Sequence, residues 1–188
     1  MGSIPQNISE SGFVVGVDVA TSTGYAVLNN VGKLFQLNAD DAPKKLGRFQ
    51  RWGHMRSALA GILLSYAPKL VVFEGYGHPH QNVSSFVTLV EYGAIVRSTC
   101  FRLGVPFIEV PPTSLKAFVG SGSAKKDQMR LEVYKTWGIE HPSNDAIDAY
   151  ALAQIGRAVL GWVDMTKRQQ EIIKKCVKSE SVSDIICT

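Results

Sequence analysis

The sequence is poor in cysteine: Cys100, Cys176 and Cys187 are its only three, far apart and without a C-x-x-C pair. That excludes a disulfide-stapled scaffold and a cysteine-ligated zinc site, and it suits a reduced, cytoplasmic protein. No run of about 18 apolar residues occurs, which excludes a transmembrane helix. The opening MGSIPQNISESG has no charge before Glu10 and no apolar stretch, so a secretory leader is not expected. Also missing are the G-x-S-x-G elbow of serine hydrolases and the G-x-x-x-x-G-K-[ST] phosphate loop. Internal repeats and low-complexity tracts are absent. Finally, no acid lies between Asp41 and Glu74, while Lys44, Lys45, Arg48, Arg51, Arg56 and Lys69 all fall there.

What is present is 188 residues, 45% of them hydrophobic and 19% charged. This suffices for one domain with a real core and excludes general disorder. A net charge of +4 and a pI near 9.0 hint at an anionic partner. Lys44, Arg48 and Arg51 are spaced i, i+4, i+7, one stripe on a helix, which slightly favours phosphate contact over a merely solvated face.

FVVGVDV at 13–19 is nearly continuous in apolar residues, as a buried strand should be. TSTG is expected to turn the chain at Gly24, with YAVLN returning and KLFQLN as a third strand, an antiparallel meander. A helix is expected from Pro43 to Tyr66, stopped by Pro68. LVVFE is a short buried strand ending in Glu74, followed by the loop GYGHPHQN. A helix over 83–103, the strand PFIEV, a short helix or turn in PPTSLKAFVG, a loop at GSGSA, and helices from KKDQMRLEVYKTW and from about Asn144 to Leu160 complete the order. The pattern describes an α/β fold: a mixed sheet with helices on its faces. Three segments are expected: residues 1–11 flexible, 12–162 the domain, and 163–188 a basic helix and loosely ordered tail.

The chemistry lies in acids set among apolar residues. Asp18 ends the strongest strand, Glu74 ends the second, and Asp145 and Asp148 share a face at the start of an apolar helix. Asp18 could instead bond amides of its own turn, Asp145 could serve the helix N-terminus, and Glu74 could form a structural ion pair. Jointly the four fit one carboxylate cluster, whose mutual repulsion a divalent cation or a basic side chain would relieve. Hard oxygen ligands suit Mg²⁺ or Mn²⁺, and two such ions about 4 Å apart serve phosphodiester cleavage. Gly120-Ser121-Gly122-Ser123 before Lys125 and Lys126 could hold a phosphate on backbone N–H groups, or be a linker with solvated lysines. His78 and His80 lack partners at zinc spacing.

GVDVATSTGYAVL, VVFEGYGH, SLKAFVGSGSAKKDQ and NDAIDAYALA, in that order, resemble the RuvC-type Holliday-junction resolvases over roughly residues 12–160. The resemblance implies a ribonuclease H-like fold and a homodimer that nicks a four-way DNA junction symmetrically. It implies Mg²⁺, or Mn²⁺ in its place, with a pair of ions in each site. It further implies that Asp18, Glu74, Asp145 and Asp148 are metal ligands, and that Lys116 and Lys126 meet the scissile phosphate, Lys125 being an alternative register for the latter. DNA contacts are expected from Lys44, Arg48, Arg51, Ser121, Ser123 and Lys125. The family carries an aromatic residue after the second acid to engage bases, and Tyr76 is the nearest substitute, one position away. The 83–103 helix is expected to supply much of the dimer interface. Three rival readings are a less selective nuclease of flaps and forks, an actin-like or sugar-kinase-like ATPase, and a catalytically inactive DNA-binding relative, against which the presence of all four acids argues. The second normally needs two related domains, and the length leaves space for one.

Overall fold

Val14, Val15 and Val17 make the first strand buried on both faces, and the sheet grows around it. The computed structural model describes residues 12–76, 83–120 and 126–179. Strands β1 (Phe13–Asp18), β2 (Ser22–Asn29) and β3 (Leu34–Asp41) form an antiparallel meander, and helix α1 (Arg48–Tyr66) follows. Strand β4 (Leu70–Glu74), helix α2 (Val83–Arg102) and strand β5 (Phe107–Val110) come next. Helices α3 (Pro112–Val119), α4 (Lys126–Trp137), α5 (Asn144–Val159) and α6 (Lys167–Ser179) complete the order. The sheet runs β3-β2-β1-β4-β5, with β4 parallel to β1 and β5 parallel to β4. The expected mixed sheet with helices on both faces is the one observed.

Side chains alternate across a strand, and here the alternation divides the core. Val15, Val17, Val71 and Phe73 pack with Met55, Leu59, Ile95 and Val96 of α1 and α2. Val14, Leu70 and Val72 pack with Ile147, Leu152 and Ile155 of α5. Asp18 and Glu74 fall in the same phase as Val14 and Val72, so they belong to the α5 face. The parallel register pairs Val17 with Phe73, which puts the two acids at neighbouring strand ends.

Helix α5 lies almost directly on the sheet, and glycines permit it. A Cβ at Gly16 would come within 1.9 Å of the Ala149 carbonyl oxygen, and one at Gly24 within 1.9 Å of the Asp145 carbonyl oxygen. Gly24 is therefore not the bend expected from the sequence. It sits inside β2, opposite Asp18, where only a residue without a side chain lets the first turn of α5 approach. Ser143 begins that helix, its Oγ accepting from the Ala146 N–H at 3.5 Å, a standard N-cap arrangement.

Helix α1 begins at Arg48, five residues later than Pro43 predicts. Its entry is held by the Gly47 N–H, which donates to Gln50 Oε1 at 3.0 Å. The basic helix expected after residue 162 is α6: Ile173 and Cys176 are buried in the α5-side core, and the helix packs on α3 and β5.

Candidate active site

Four elements meet at the carboxyl ends of β1 and β4. Asp18 and Glu74 come from the strand ends, Asp145 and Asp148 from the first turns of α5, and Lys116 from α3. All five line one cavity of about 280 Å³, whose apolar wall includes Leu89, Leu115 and Met129. The i, i+3 spacing on α5 sends both aspartates the same way, and the close seat of α5 on Gly24 brings them to the strand ends.

Asp18 is 5% exposed. Its carboxyl is pushed well above the ordinary aspartate range, first by burial, then by the charge of Glu74 and a hydrogen bond with it, then by Asp148 and Asp145. Two carboxyl groups can hydrogen-bond only with a proton between them, so without a cation the protonated form of this pair is favoured. Among the described residues, no three acidic, histidine or cysteine side chains already converge on a point where an ion would sit. The donor set nevertheless fits a hard divalent cation: every candidate ligand is a carboxylate oxygen, and the buried charge of Asp18 has acids as its principal neighbours.

Lys126 opens α4, while Ser121, Ser123, Lys125, His78 and His80 lie outside the described residues. The expected basic stripe is altered. Because α1 starts at Arg48, Lys44 lies in the preceding turn and the i, i+4, i+7 geometry is lost. Arg48 forms an ion pair with Glu91 and lies over the Trp52 ring. Arg51 donates to the Leu46 and Lys44 carbonyls at 3.0 and 3.1 Å. Arg51 thus braces the turn before α1, and Arg48 ties the start of α1 to α2, beside a groove of about 560 Å³ between the two helices.

Tyr76 is anchored rather than free. Its hydroxyl donates to the Val90 carbonyl at 3.0 Å and accepts from Arg97 Nη1 at 2.7 Å. The ring meets Phe86 edge-on, with centroids 6.1 Å apart. Arg97 lies over both Phe73 and Tyr76 and pairs with Glu109 of β5. Stacking of Tyr76 on a base would require these contacts to break. Arg97 and Glu109 escape sequence reasoning, because their partners are distant along the chain. For Gly16 and Gly24 a signal exists: glycine inside a strand pattern often marks close backbone approach.

The family model for crossover junction endodeoxyribonuclease RuvC matches residues 14–156, a stretch containing the four acids, Lys116 and Lys126. The crossover junction endodeoxyribonuclease RuvC of Syntrophomonas wolfei is 29% identical over 147 residues, which cover 74% of this chain and 85% of that protein. A Thermus thermophilus RuvC structure is similar at 25% identity, with a TM-score of 0.66, covering 79% of this chain and 96% of that one. The same fold is found in T. thermophilus RuvC in complex with Holliday junction substrate, at 20% identity and a TM-score of 0.66, covering 76% of this chain and 90% of that one.

Proposed function

The chain belongs to the family of crossover junction endodeoxyribonuclease RuvC, and on that premise we propose that it is a metal-dependent endonuclease resolving four-way DNA junctions by paired symmetrical nicks. The observation that carries this reading is the meeting of Asp18, Glu74, Asp145, Asp148 and Lys116 around one cavity. A cluster of acids gathered around the buried carboxyl of Asp18 has no use in binding phosphates by itself. It has a use in holding Mg²⁺, or Mn²⁺ in its place.

In this reading the four carboxylates hold the metal, as a pair of ions, with the buried Asp18 central. Bound there, the metal supplies an activated water and neutralises charge on the phosphate. Lys116 places an ammonium group beside the scissile phosphate from the wall of the cavity, where a positioned charge strengthens its hold as the bond breaks. Lys126, at the start of α4, is assigned the same role. The apolar wall of Leu89, Leu115 and Met129 limits water around the reacting groups. Contacts to the duplex arms are assigned to Lys44, Arg48 and Arg51 and to Ser121, Ser123 and Lys125; to meet phosphate, Arg48 would exchange its pairing with Glu91, and Arg51 its bonds to the Leu46 and Lys44 carbonyls. In this reading Tyr76 keeps the chain after Glu74 in place instead of stacking on a base.

Symmetrical nicking requires two sites, and α2 offers a face for pairing. Val83, Val87, Val90, Ala94 and Phe101 recur at helical spacing on its exposed side, with Val83 and Phe101 75% and 83% exposed. Such an uncovered apolar row is a dimer surface in the homodimer we infer.

The test compares the protein with Asp18→Asn on labelled four-way junction and on matched linear duplex, with Mg²⁺ and then with chelator. Paired nicks in the junction alone, lost with chelator or with the substitution, are expected. Equal cutting of flaps and forks would replace the substrate by branched DNA in general. Absence of any metal-dependent cutting would overturn the proposal.

A further inference from the structure

Helix α6 begins beyond residue 156, where the family match ends, and its charge is one-sided. Through Cys176 its exposed charged residues are Lys167, Arg168, Lys174 and Lys175, against Glu171 alone. None of the four basic residues forms an ion pair with another described residue.

The apolar side of α6 is already occupied. Ile173 and Cys176 are buried, and Ile172 packs against the same core. The Gln169 side-chain amide donates to the Phe118 carbonyl of α3 at 3.2 Å. Because α3 also carries Lys116 into the acid cavity, the basic face is fixed one helix away from the reacting centre.

Lys167 and Lys174 are seven residues apart, as are Arg168 and Lys175, so each pair lies about two turns apart on the same side. The row is about 10–12 Å long, the span of about three phosphates at 3.4 Å of rise per nucleotide. A basic helix with a free apolar face would suit a membrane surface. Here that face is consumed by packing, and charge alone remains. Charge without apolar or base-reading groups matches a nucleic-acid backbone.

We propose that the exposed face of α6 is an accessory DNA-backbone contact that grips the phosphates of a duplex arm outside the acid cavity, independently of base sequence. The proposal rests on the nuclease reading above.

The test uses the full chain with Lys167→Gln, Arg168→Gln, Lys174→Gln and Lys175→Gln combined. Binding of labelled four-way junction and linear duplex is followed through a salt series without divalent metal. The slope of log affinity against log salt should become shallower by about 0.9 for each phosphate contact removed, with a total change of about 2 or more, on both DNAs. The complementary Glu171→Lys variant, which leaves the packed face untouched, should steepen the slope. It keeps the question answerable if the quadruple variant misfolds.

Slopes equal to that of the parent protein would overturn the proposal. So would an unchanged DNA slope accompanied by lost binding to phosphatidylserine-containing vesicles, which would make lipid the partner. Failure of the parent protein itself to bind either DNA would instead remove the nuclease reading, and this proposal with it.

Discussion

Replacing Gly24 by alanine tests whether close seating of α5 aligns the acids. The added Cβ would lie 1.9 Å from the Asp145 carbonyl oxygen, 2.4 Å from its carbonyl carbon and 2.9 Å from the Ala146 nitrogen. Ordinary contact needs about 3.4 Å or more, so the first turn of α5 or strand β2 must retreat by about 1.5 Å. All three obstructing atoms are backbone, so no side-chain rotation relieves the clash. Overpacking of this kind costs about 1–3 kcal/mol. In a chain of this size each 1 kcal/mol lowers the melting midpoint by about 2–4 °C. The larger effect should be on chemistry, because a misplacement of about 1 Å can cost about 10²-fold in rate. Asp145 and Asp148 would move away from Asp18 and Glu74 together. The assay is single-turnover cleavage of a four-way junction at saturating Mg²⁺, with junction affinity and thermal melting measured alongside. A rate loss of about 10²-fold with near-normal affinity is expected. Gly61→Ala is the control, since a Cβ there meets nothing within 4 Å; this exposed helical site should gain up to about 1 kcal/mol. Cleavage by Gly24→Ala at the parental rate would refute the idea that α5 seating sets the site.

Asp18→Asn should raise the melting midpoint of the metal-free protein at neutral pH while abolishing cleavage. The folded state holds the Asp18 proton more tightly than the unfolded chain does. Its carboxyl therefore lowers stability as pH rises from the ordinary value of 3.8 through the higher folded-state value, and not below 3.8. The stabilisation by asparagine should shrink toward that acid end, and a gap independent of pH would contradict the assignment. Arg97→Ala should lower stability by about 1–3 kcal/mol, because Tyr76 and Glu109 both lose a charged partner. Arg97→Lys should recover little of this, since one ammonium cannot reproduce the two-pronged contact; full recovery in thermal melts would count against the network. Val87→Asp, on the uncovered face of α2, should shift the protein in light scattering to a single-chain mass of 20.5 kDa. A variant that remained at twice that mass would move the dimer surface elsewhere.

Several features are legible in the order of residues. The buried strand ending in Asp18, the second ending in Glu74, the meander order and the D-x-x-D helix each carry a local signature of periodicity and polarity. Local signals fail where competing contacts decide the outcome. Pro43 suits a first helical turn, yet the chain makes a separate turn braced by Arg51 before α1 starts at Arg48. Gly24 reads as a bend when only neighbours in sequence are counted, whereas its function is to admit the backbone of a helix 121 positions later. Tyr76 reads as an available aromatic because Gly93, whose missing side chain makes room for the Tyr76 hydroxyl, is distant in sequence.

The sequence by itself determined which residues carry charge into apolar surroundings, and the strand period determined the face each strand-end acid takes. Only the tertiary structure decided that those faces meet the first turns of α5, that Lys116 joins them from α3, and that Arg48 pairs with Glu91 of α2. The physical reason is range. Periodicity acts between residues a few positions apart, whereas burial, repulsion between carboxylates and backbone contact act between whatever the packed chain brings together.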